Sequence, residues 1–149
     1  MRWVQTLLVF FCLSPFLVVA ESEETFAQVL SKAKNGDLSS QTLVANFYEA
    51  GIGTKKNYRE AYKWHKIAAE RGSAISQLGL GGLYFYGDGV PQDIVYAHMW
   101  WNLAASNGVE LAEVSRNQIV NKMTPDQISE AQRLARECFK KNYKKRGHV

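Results

Sequence analysis

The sequence predicts an all-α fold, an α-solenoid of antiparallel helix pairs with a capping C-terminal helix. A shift of 36 residues superimposes Ser40 on Ser76, Gln41 on Gln77, Tyr48 on Tyr84, Gly51 on Gly87 and Gly53 on Gly89. The same shift places Ala61 on Ala97, Trp64 on Trp100, Ala68-Ala69 on Ala104-Ala105 and Gly72 on Gly108. Self-similarity at such a period marks stacked repeats. Within each unit, apolar and small residues recur at helical spacing, and glycines fall where a helix has to end.

Residues 1–20 read as a signal peptide, with Arg2 as a short positive region and Trp3 to Leu13 as an apolar run. Ser14-Pro15 breaks the run, and Val18-Val19-Ala20 presents small residues for cleavage. An uncleaved membrane anchor is the alternative, against which Pro15 and the Val-x-Ala site argue. The remainder, 21–149, has the size of one domain. It divides into a half repeat 21–36, repeats 37–72 and 73–108, and a terminal unit 109–149. Cys12 leaves with the signal segment, so Cys138 cannot form an internal disulfide. Pairing between chains is the alternative to a half-buried thiol on the last helix.

Phe26, Val29 and Leu30 give one amphipathic helix before Gly36. In the second repeat, Leu80, Leu83 and Tyr84 share one side of a helix from Ser76 to Tyr86, which Gly87-Asp88-Gly89 terminates. Asp93 is the expected N-cap of the next helix, and Asn57 holds the same place one period earlier. Asn57-Tyr58-Arg59-Glu60 reads further as a capping box. Small residues at helix contacts let backbones approach, while Tyr and Trp fill the space between layers. Thr124-Pro125-Asp126-Gln127 starts the last helix, along which Ile128, Ala131, Leu134, Ala135 and Cys138 trace an apolar stripe.

The segment Leu80-Gly81-Gly82-Leu83-Tyr84-Phe85-Tyr86-Gly87-Asp88-Gly89-Val90-Pro91-Gln92-Asp93 resembles the consensus of the Sel-1-like repeat family, relatives of the tetratricopeptide repeats. So does Ala97-His98-Met99-Trp100-Trp101-Asn102-Leu103-Ala104-Ala105 followed by Gly108. The first repeat departs from it, with Val44-Ala45 where Leu-Gly is usual and Thr54-Lys55-Lys56 in place of Val-Pro-Gln. Met123-Thr124-Pro125-Asp126-Gln127-Ile128 is similar to the closing helix of bacterial members. The resemblance implies a right-handed superhelix that serves as an adaptor or binding surface. For exported bacterial members it implies envelope signalling, host interaction or neutralisation of toxic effectors. Fold does not choose among these.

Tests for chemistry favour a non-enzyme. His65, His98 and His148 lack metal-ligand spacing, so neither a metal nor a cofactor is expected. Ser31-Lys32-Ala33-Lys34 has the Ser-x-x-Lys spacing of penicillin-interacting serine enzymes, but no Ser-Asp-Asn or Lys-Thr-Gly companion is present. Gly87-x-Gly89 recurs as Gly51-x-Gly53, so periodicity explains it better than a phosphate loop. A net charge of +4 falls short of a nucleic-acid-binding signature. The absence of a second long apolar run argues against stable membrane insertion. Lys140 to Arg146 reads as a solvated basic helix end, with weak contact to an anionic surface as the alternative.

Specificity is sought where matching units differ. Phe85 and Tyr86 replace Glu49 and Ala50, and Trp101 replaces His65, whereas the recurrence of Trp64 and Trp100 points to packing. Asn46, Glu49, Phe85, Tyr86 and Trp101 are therefore the candidate partner-binding residues. The expected function is an exported protein–protein interaction module, periplasmic or secreted, acting as an adaptor or regulatory binding protein of the bacterial envelope. An immunity protein against a periplasm-delivered toxin and a penicillin-binding or serine hydrolase activity through Ser31 are the alternatives.

Overall fold

The structure is a computed structural model that describes residues 26–146, with side chains as far as Lys141. The expected signal segment 1–20 and its cleavage boundary lie outside the described residues. Helix α1 occupies residues 26–34, followed by α2 (Leu38–Ala50), α3 (Tyr58–Glu70), α4 (Ala74–Tyr86), α5 (Ile94–Ser106), α6 (Glu110–Val120) and α7 (Pro125–Arg146). Helices α2 to α6 pack chiefly on their chain neighbours, α2 on α3, α3 on α4, α4 on α5 and α5 on α6, whereas α7 packs on α5. The product is a helical solenoid, as the repeat predicts.

Caps set the helix starts. Asp37, Asn57, Ser73 and Asp93 lie at the starts of α2, α3, α4 and α5, each accepting from backbone N–H groups of the first turn. At α7 the expected box closes: the Thr124 N–H donates to Gln127 Oε1 at 2.9 Å, and the Gln127 N–H returns to Thr124 Oγ1 at 3.2 Å. At α3 the box is half made. Asn57 caps, but its own N–H is taken by the Tyr48 carbonyl at 2.8 Å. Glu60 therefore has no donor to return to and pairs with Lys63 instead. Helices α2 and α4 end at Gly51 and Gly87, with φ of 73° and 75°, a conformation other residues enter at a cost.

A hydrogen-bonded latch ties the units together. Gln41 Nε2 donates to the Ala33 carbonyl at 3.1 Å, and one period later Gln77 Nε2 donates to the Ala69 carbonyl at 3.2 Å. Their amide oxygens accept from the residue that closes the following helix, Arg71 for Gln41 at 2.7 Å and Asn107 for Gln77 at 3.0 Å. Both glutamines are buried, so the latch satisfies groups that would be costly unpaired. The position one period on is Glu113, which is exposed and whose carboxylate has no N–H to give.

Two apolar clusters join the later helices, beside the buried Ala33, Val44, Ala45, Ala61 and Ala68 of α1, α2 and α3. Ala69, Leu80, Leu83, Met99, Trp100, Leu103, Ala131 and Ala135 join α3, α4, α5 and α7. Ala97, Trp101, Ala104, Ala112 and Ile119 join α5 to α6. Helix α7 returns onto α5 through the predicted stripe and covers Trp100, which is 7% exposed. Trp64, at the same repeat position on α3, is half-buried, because α7 covers α5 rather than α3.

Candidate protein-interaction site

The last turn of the first helix of each repeat, α2 or α4, meets the middle of the helix that follows it, and there the two repeats make different contacts. In the first, Glu49 on α2 lies 3.0 Å from His65 Nε2 on α3. In the second, the residues one period on, Phe85 and Trp101, meet ring to ring with centroids 5.6 Å apart. A polar pair has thus been exchanged for an aromatic pair at one architectural position. Both second members are interior groups, His65 at 1% and Trp101 at 6% exposure. Each depends on a glycine of α4: a Cβ on Gly79 would lie 2.7 Å from the His65 imidazole, and one on Gly81 would lie 2.2 Å from the Trp101 indole.

Trp101 is therefore not a presented surface residue. Its Nε1 donates to the Leu78 carbonyl at 3.1 Å, and its ring forms a floor beneath Phe85. Phe85 is half-buried on that floor, and Tyr86 stands edge-on to it with centroids 4.9 Å apart. Tyr86 itself is 72% exposed, a large apolar area left in water next to a rigid support. Lys122 at the end of α6 places its ammonium 5.8 Å from the Phe85 ring centroid, within cation–π range. Phe85, Tyr86, Trp101, Ser115, Gln118, Ile119 and Lys122 line a depression of about 190 Å³ between α4, α5 and α6.

Of the five candidates, the structure brings Phe85, Tyr86 and Trp101 together. Asn46 and Glu49 sit half-buried on α2, one repeat away from that depression. Glu49 lies against the buried His65. Lys122 carries no repeat signal and is not among the candidates the sequence marks, because the turn after α6 falls outside the duplicated units.

Ser31 and Lys34 are exposed on α1. His98 is buried, and burial first, then the nearby Arg116 charge, holds its imidazole below the ordinary histidine range. Cys138 is half-buried, and burial, followed by the Glu70 charge, pushes its thiol up and disfavours the thiolate. Among the described residues no group of three or more His, Cys, Asp or Glu side chains is placed to hold a metal. No described helix is long and apolar enough to cross a membrane.

Comparison with known proteins agrees with this architecture. The Sel1 repeat matches twice, over residues 38–73 and 74–109. The structure is similar to that of a protective antigen present in uropathogenic Escherichia coli strains and displaying an SLR fold, with a TM-score of 0.79 and 31% identity over 82% of this chain. It is also similar to a Sel1 repeat protein from Oxalobacter formigenes, with a TM-score of 0.59 and 28% identity over 61% of this chain. In both cases the match spans 26% of the other chain. No curated protein is matched by the sequence.

Proposed function

Because this chain is a Sel1-repeat protein, and Sel1 repeats are protein-interaction scaffolds, we propose that it is an exported binding module of the bacterial envelope whose anchor is the Phe85–Tyr86–Lys122 patch. The observation that carries this reading is Tyr86, 72% exposed where the first repeat has Ala50. Packing does not require it. An exposed tyrosine held edge-on by a supported phenylalanine supplies contact area at low entropic cost, the usual chemistry of an interface anchor. Lys122 adds a cation, so the patch suits a partner surface that offers apolar contact beside an acidic group. Trp101 acts from beneath by holding Phe85 in place.

Export is supported by the arrangement of residues 1–20, and an adaptor role between envelope proteins is the form proposed. Two experiments test the reading. The chain recovered from a periplasmic or secreted fraction should begin at Glu21 by mass spectrometry; recovery from the cytoplasm with residue 1 intact would remove export. A partner captured from envelope extract should lose about 2 kcal/mol or more of affinity, roughly thirtyfold, for Tyr86→Ala at unchanged unfolding temperature. Undiminished binding by that variant would remove the patch.

A further inference from the structure

A second concavity lies apart from the aromatic patch and shares no lining residue with it. Helix α7 packs on α5 and makes no comparable packing with α3, which leaves a slot of about 370 Å³ between α3 and α7. That volume lies in the range of small-ligand sites, about 300–1,000 Å³. Its floor is apolar, formed by Met99 and Trp100 over the fully buried Leu80. On one side stand Tyr62 and Tyr84, with hydroxyls 3.0 Å apart. Burial, then that hydrogen bond, raises the Tyr84 pKa, so the phenol stays protonated and available to donate or accept.

The rim carries both signs of charge on each wall. Helix α3 contributes Lys66 and Glu70, one turn apart, and α7 contributes Glu137 and Lys141, again one turn apart. Glu70 and Lys141 both act on Cys138, which places them at the same end of the slot. Glu137 is shared with Arg133 of its own helix. No ion pair among the described residues joins α3 to α7, so these charges face one another across the slot without meeting.

We propose that this slot binds a small zwitterion with an apolar side chain, an apolar amino acid or dipeptide. A simple anion or cation would meet a like charge on each wall. A neutral hydrophobe would strip water from the rim charges and return nothing to them. A zwitterion meets both signs, its ammonium at a glutamate and its carboxylate at a lysine, while its side chain lies over Met99 and Trp100. Calorimetric titration of the purified full chain with L-phenylalanine, L-leucine and L-leucyl-L-phenylalanine tests it. At least one should bind with a Kd of about 1 mM or tighter. If the dipeptide is that ligand, N-acetyl-L-leucyl-L-phenylalaninamide, which lacks both charges, should bind about tenfold more weakly or worse. Glu70→Gln and Lys141→Gln, both at exposed positions, should each cost about tenfold in affinity at unchanged unfolding temperature. No heat with any of the three ligands overturns the proposal. So does equal binding of the blocked dipeptide, or full affinity in either rim variant.

Discussion

Gly81 and Trp101 show how tightly single residues are tied here. A methyl group on Gly81 would overlap the indole at 2.2 Å, and the ring is anchored by its bond to the Leu78 carbonyl. Gly81→Ala should therefore destabilise the fold by about 1–3 kcal/mol through overpacking, measurable by urea unfolding. Phe85→Ala and Tyr86→Ala should separate in the same assay. The first uncovers Trp101 and should cost about 2 kcal/mol or more, while the second should fall within about 0.5 kcal/mol of the parent. A difference between matching units was legible at these positions, but its meaning was not. Glu49 touches His65, and Phe85 touches Trp101, across two helices whose packing angle no residue spacing records. Trp101 therefore reads from sequence as a candidate surface anchor and proves to be a buried support. Tyr86, on the last turn before Gly87, is a surface residue in both readings.

At the scale of the element, the latch explains why Gln recurs at one register. Gln77→Ala removes a donor from the buried Ala69 carbonyl and an acceptor from the more exposed Asn107, and should cost about 1–3 kcal/mol. Trp100→Ala should cost about 3–5 kcal/mol, and Trp64→Ala less, because α7 covers the first and not the second. Equal losses for the two tryptophans by chemical denaturation would contradict that role for α7. Helix starts and stops were legible because caps and glycines act within a few residues. The face that α7 covers was not, since an apolar stripe states that a helix must pack but not against what. Glu60 illustrates a similar limit: its box pattern is correct, yet a carbonyl from the preceding helix takes the donor it needs.

Across the whole molecule, packing runs from neighbour to neighbour, and α7 reinforces the later pair of helices. Stability in such arrays is local, so amide exchange should be slower in α4 and α5 than in α2 and α3. His98 adds a pH dependence. Its folded pKa lies below the ordinary 6.5, so as pH falls through that window the unfolded chain takes up a proton that the folded chain does not. Stability should decline with acidification there, and His98→Gln should flatten that decline in unfolding temperature whatever its effect at neutral pH.

The latch has a consequence for how such a chain changes length. Each unit's glutamine is held by an alanine carbonyl of the unit before it and by a side-chain donor at the end of its own second helix, Arg71 or Asn107. A copy of residues 73–108 spliced in after Gly72 would find Ala69 waiting for its glutamine, and would hand an equivalent alanine, the copy of Ala105, to the unit displaced downstream. Growth by whole units needs no redesign at the seam, whereas a splice shifted by even one residue would strand a buried amide at every join. At the far end Glu113 declines the bond, and the molecule stops counting.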